Sequence, residues 1–435
     1  MGGVPPTRYN LPMRFAAAFV VLMLATAVLA QNSPAPQPKS VTVPITLDQN
    51  RVVIDVDLTL PDGSTERVRG WVDNGNPDLC MSKRVAMLMG LSVSCDGQIC
   101  SGTPKSPGAS LEIAIGGMKI SLPSMKEIKV PAFTPAIAPG MSAEIDIPST
   151  VLRNYDAIVD FPGRKFTIGL PGSLKFNGVK SKMLVNASNG LIQISGKIDN
   201  KNYDLGLDLG SSINFLSVDL FDKLSNAHPG WPHMTGAVGP FNTGELGDEA
   251  TRKLMRVDRV QYGPLFLTDV AVIGLPADFA KDRRGLIEAT HDSIPAAGLL
   301  GAEALMNYRV GLDFAHSTVY FDIGRTVRFP DFDVVGLILR PEIGTGFMIV
   351  GVADFDGKPS VAGVQAGDRL VAVDDIPVAD STLGQVWSLL EGAPGQERKL
   401  TIERGGKQFT VVAKAQHFLG DASGNSQTKE KPKKN

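Results

Sequence analysis

Most of the chain reads as short strand-like runs separated by turn residues. PDGSTERVRGWV (61–72) places a turn and a strand before Asp73, and DNKNYDLGL (199–207) does the same before Asp208. RKFTIGL (164–170) and STVYFDI (317–323) predict further strands, each after a turn. Helical spacing is confined to short stretches: SKRVAMLMGL (82–91), SVDLFDKL (217–224) and STLGQVWSLLEG (381–392), the last with Leu383, Val386, Leu389 and Leu390 on one face. Ser82 and Ser217 stand where N-caps are needed, and Gly90 where a C-cap is. RKLTIERGGKQFTVVAK predicts a hairpin turning at Gly405-Gly406.

One apolar run has a different character. Phe15–Ala30 (FAAAFVVLMLATAVLA) follows a stretch holding Arg8 and Arg14 and no acid, and ends in small residues. A charged start, a short apolar run and a small-residue end predict a secretory signal over 1–30, cleaved so that Gln31 begins the mature chain, or an N-terminal tether if uncleaved. No later stretch is long and apolar enough to predict a span. Residues 31–40 (QNSPAPQPKS) read as a linker and 416–435 as a basic tail, both too poor in apolar residues to fold alone.

Composition narrows the class. The 435 residues suffice for two or three domains, 43% are hydrophobic, and 46 glycines with 30 prolines suit a mainly β chain. A net charge of −2 offers no footing for nucleic acid. Of three cysteines, Cys95 and Cys100 bracket a short turn and could close a disulfide outside the cytoplasm, leaving Cys80 as a buried thiol. No histidine or fourth cysteine stands at ligand spacing, so neither a metal nor a cofactor is expected. No serine nucleophile stands with histidine and aspartate partners.

Two stretches of the middle region can be superposed. Asp73-Asn74-Gly75 is followed by Ser82 and a helical pattern; Asp208-Leu209-Gly210 is followed at the same distance by Ser217 and another. Further on, IDIPSTVLRNYDAIVDF, from Ile145, aligns without gaps to GLLGAEALMNYRVGLDF, from Gly298. Two motifs recurring in the same order indicate a duplication.

This order resembles the two-lobed aspartic peptidases of the pepsin–retropepsin superfamily. The resemblance implies two similar β-barrel-like lobes, 41–175 and 176–328, with Asp73 and Asp208 as a facing catalytic pair. Two such carboxyls share one proton, so one activates water while the other protonates the carbonyl oxygen. Leu299-Leu300-Gly301 matches the family's apolar-apolar-Gly segment, which crosses the aspartate loop; Asp146-Ile147-Pro148 stands in its place in the first half. The family carries Thr or Ser after each aspartate, whose hydroxyl braces the pair; here Asn74 and Leu209 stand there. No tyrosine lies between Cys100 and Pro131, where pepsin-like members carry one on the flap over the substrate. The alternative is therefore a lobe pair of this fold without hydrolytic activity, acting as a scaffold.

Residues 329–415 resemble a PDZ domain, of the kind attached to bacterial envelope proteases. The specific part is AGVQAGDRLVAVDDIPV (362–378). The resemblance implies that peptides or protein C-termini are the partners. Their carboxylate would be cradled by Gly344, Thr345, Gly346 and Phe347, and their backbone would add to a strand edge beginning at Met348.

Overall fold

The computed structural model describes residues 1–3, 37–96, 99–105, 111–122, 128–131, 136–138, 140–244, 247–275, 297–323 and 332–420. Residues 4–30 of the expected signal segment and the basic residues after 420 lie outside them. Lys39–Asn435 forms one compact unit. Strands make up 51% of the described residues and helices 10%. The fold is mainly β, as composition predicts, with barrel-like sheets and a C-terminal PDZ domain.

In the first lobe, the strand before the first aspartate, Thr65–Asp73, lies between Arg51–Thr59 and Ile145–Pro148; the latter pairing is parallel and sets Pro148 beside Asp73. In the second lobe, Lys201–Leu207 pairs with Gly298–Leu300, also in parallel, with Leu207 beside Leu300. There the sheet closes on itself, because Ile192–Ile198 pairs both with Lys201–Leu207 and with Lys253–Tyr262. Ser82 caps the helix Lys83–Leu88 by accepting from the Val85 amide at 3.1 Å. Ser217 caps Val218–Ala227 in the same manner, from the Leu220 amide at 3.4 Å.

A six-stranded sheet joins the lobes. At its centre Asp156–Asp160 runs antiparallel to Tyr308–Asp313 and Ile158 pairs with Gly311. The alignment of Ile145 with Gly298 makes Gly311 the counterpart of Ile158. Each strand therefore pairs with its own repeat copy, and a pseudo-twofold axis passes between them.

The PDZ sheet runs Leu337–Glu342, Gly346–Val352, Arg369–Val373, Glu397–Arg404, Lys407–Lys414. Gly405 and Gly406 both adopt positive φ (57° and 76°), which a two-residue hairpin turn requires. The helix Leu383–Leu390 is closed by a capping box between Thr382 and Gln385 and buries Leu383, Val386, Trp387 and Leu390 against the sheet. Buried Asp368 takes both prongs of the Arg404 guanidinium, at 2.6 and 2.7 Å, which ties the start of one strand to the end of another.

The start of the expected tail belongs to the fold. Gln416–His417 pairs with Asp333–Val334, and Phe418 and Leu419 are buried. Two adjacent apolar residues after a polar pair are enough to anchor it.

Candidate functional site

Asp73 ends a strand and Asp208 directly follows one; each opens a tight loop, and both are buried. Asp73 accepts a hydrogen bond from the Gly75 amide at 2.9 Å. Asp208 accepts from the amides of Gly210, at 2.8 Å, and Ser211, at 2.9 Å. The same loop is thus built twice. A parallel pair of bonds, Ser149 amide to Asn76 carbonyl and Ala302 amide to Ser211 carbonyl, both 2.8 Å, fastens each loop to the helix behind it.

The two loops meet across the lobe interface. A Cβ added to Gly210 would stand 2.6 Å from Asp73 Oδ1, and one added to Gly75 would collide with the Asp208 carboxyl. Each carboxyl therefore lies over the other loop's glycine, where only a hydrogen fits. Both carboxyls thus lie, buried, at one place on the lobe interface.

The bracing differs from that implied by the family pattern. Asn74, fully buried, does the work from one side: its Nδ2 donates to the Leu207 carbonyl and its Oδ1 accepts from the Leu209 amide, both at 2.7 Å. An amide carries donor and acceptor on one head, so a single residue spans both ends of the facing loop. Leu209 instead packs into the main core. Trp71, not singled out in the sequence, adds a third bond across the interface from its Nε1 to the Gly210 carbonyl at 3.1 Å.

A third acid is present. Asp146 replaces the apolar residue that Leu299 supplies in the second lobe, and it is fully buried. Its Oδ2 accepts from Asn76 Nδ2 at 2.7 Å, while its Oδ1 has no hydrogen-bond partner among the described residues. Burial, and then the charges of Asp73 and Asp208, hold its carboxyl well above the ordinary range. Beside it the Cys80 thiol is pushed up to about 12 by burial and by Asp146. The acid at 146 was visible in the sequence as a departure from an apolar pattern, but its proximity to both aspartates was not. Asp146→Asn is therefore expected to stabilise the protein at neutral pH. The folded state holds this proton more tightly than the unfolded chain does. Stability thus falls as pH rises above the unfolded carboxyl range of about 4, and the gain of the variant should vanish below it. Melting temperatures of both forms at about pH 4 and pH 7 would check this; an equal difference at both would refute it.

Cys95 and Cys100 face each other in register on the hairpin Leu91–Asp96/Ile99–Pro104 and form a disulfide. His228, His316 and His417 pair with Asp199, Asp313 and Asp333, and His233 contacts Ser225; none approaches the aspartate loops through these bonds. Among the described residues no group of three or more His, Cys, Asp or Glu could hold a metal.

In the PDZ domain the glycines expected to cradle a carboxylate form a tight hairpin turn. Gly344 and Gly346 have φ of 70° and 92°, and the Thr345 amide donates back to Glu342. Phe347 is buried in the domain core, and Met348 lies against Arg340. The strand Gly346–Val352 is not an edge. Leu337–Glu342 pairs along it on one side, and Arg369–Val373 takes Phe347 and Met348 on the other. The edge strand is Leu337–Glu342, one hairpin arm earlier than the sequence implies, because the glycines close the hairpin instead of opening a loop.

Comparison with known proteins agrees with the C-terminal assignment: the PDZ domain family matches residues 360–404. Among solved structures, the aspartic proteinase from Irpex lacteus is a weak neighbour, at 11% identity and a TM-score of 0.37, over 66% of this chain and 98% of that one. No curated protein matches the chain.

Proposed function

We propose that this chain is an exported aspartic-type peptidase in which Asp73 and Asp208 activate water and protonate the scissile carbonyl, with the PDZ domain engaging peptides. The observation that carries the reading is the reciprocal contact of the two loops, each aspartate lying over the other's glycine. Both glycines are required by this close approach. A PDZ domain supports peptide or C-terminus binding. The signal-like start and the Cys95–Cys100 disulfide support export to an oxidising compartment. The second reading, an inactive scaffold of the same fold, draws on Leu209 and Asp146, both departures from the family pattern at the pair itself.

The two readings separate on a reduced, unfolded protein incubated with the full chain across about pH 3–7, the range in which carboxyls titrate. The peptidase reading expects new internal peptide ends, formed fastest at acid pH. Absence of fragments at every pH, from protein shown to be folded, would select the scaffold.

A further inference from the structure

A PDZ domain binds by adding a peptide strand to a sheet edge that faces a helix. Here that edge is Leu337–Glu342 and the helix is Leu383–Leu390, and the chain itself fills the space between them. Asn242, fully buried, presents its side-chain amide to the edge: Oδ1 accepts from the Leu339 amide and Nδ2 donates to the Leu339 carbonyl, both at 2.8 Å. These are the two bonds that a peptide backbone would make to an edge residue. Buried Glu249 accepts from the same Nδ2 at 2.5 Å, which fixes the amide's orientation. The helix side is also taken. Asp48 accepts from Thr382 Oγ1 at 2.7 Å, and the Leu383 amide donates to the Gly140 carbonyl at 2.8 Å. Gly239 sits against the Trp387 ring, where an added Cβ would lie 3.2 Å away.

We propose that the PDZ groove is held shut in cis by the segment Gly239–Thr243, with Asn242 standing in for a ligand strand. A peptide with a free C-terminus must then displace Asn242 from Leu339 to bind. The inference rests on the PDZ fold and not on the aspartate pair, so it stands or falls separately from hydrolysis. The closure reaches toward the aspartates. Val238 and Phe241 share one core with Ile338 of the edge strand and with Ile213 and Leu299, which follow Asp208 and precede Gly301. Opening the groove therefore strips packing from the loops that hold Asp208.

The test uses the full chain in three forms: wild type, Asn242→Ala, and Asp48→Ala, which loosens the helix side, keeps Thr382 as the helix cap and leaves the Asn242–Glu249 pair in place. A display library of peptides with free C-termini serves as probe, and the best binder is then measured as acid and as amide. A closed groove lowers apparent affinity by the fraction open, so the variants should bind on the order of tenfold or more tighter than wild type. Hydrogen exchange of the Leu339 amide should speed up in the same variants. Equal affinity in all three forms overturns the proposal, as does unchanged Leu339 exchange. Variants that open but retain no peptide overturn the competition. If Asn242→Ala does not fold, Asp48→Ala decides by the same readings.

Discussion

In the proposed peptidase, replacing either aspartate, by Asp73→Asn or Asp208→Asn, is expected to abolish acid-pH cleavage while leaving the fold intact. Neither carboxyl can serve as base and acid in the same step, so one amide suffices to stop the cycle. The exchange is nearly isosteric, and the loop bonds that each side chain accepts from Gly75, or from Gly210 and Ser211, can be kept by the amide oxygen. Circular dichroism and melting temperature should therefore change little while rates fall below detection. Cleavage persisting in both variants would assign the activity to another site.

Asn74→Ala is expected to slow hydrolysis about a hundredfold, the loss that goes with displacing a reacting group by about 1 Å. Its amide bonds both Leu207 and Leu209 across the interface. Removing it leaves a buried carbonyl and a buried amide without that partner, at about 1–3 kcal/mol each. Asn74→Thr should fall between wild type and alanine. A hydroxyl can donate and accept, but it is shorter than the amide and must reach both atoms from one oxygen. Initial rates and urea midpoints for the three forms would check the order. A threonine variant faster than wild type would mean that the asparagine brace is a poor substitute and not a working one.

The duplicated halves could be read from the chain because their signals are local: a serine cap, a glycine after an aspartate, a strand after a turn. Ser82 and Ser217 illustrate this, since a cap needs only the amide three residues on. Features that depend on distant segments could not be read in this way. Asn74 was visible as a substitution, but its two hydrogen bonds to the facing loop depend on how two lobes meet 133 residues apart in sequence. Asp146 was visible as an acid in an apolar place, while its neighbours come from two loops, one in each half. The PDZ glycines were assigned to a loop because Gly-Thr-Gly suits both a nest and a hairpin; strand pairing decides between them, and pairing is not local. Asn242 carried no signal at all, because an asparagine beside glycine and threonine reads as an ordinary turn residue.

The pairing of Ile158 with Gly311 fixes what the halves can and cannot be to each other. A symmetric dimer of one half would have to carry the same residues in both aspartate loops. It would also depend on protein concentration to hold them together. Joining the halves in one chain replaces that dependence with an effective concentration on the order of millimolar. It also releases the two loops from identity. Asn74 can then reach across while Leu209 turns inward, and Asp146 can occupy the place that Leu299 fills on the other side. An asymmetric site needs two genetically separate copies of one loop, and this chain has them.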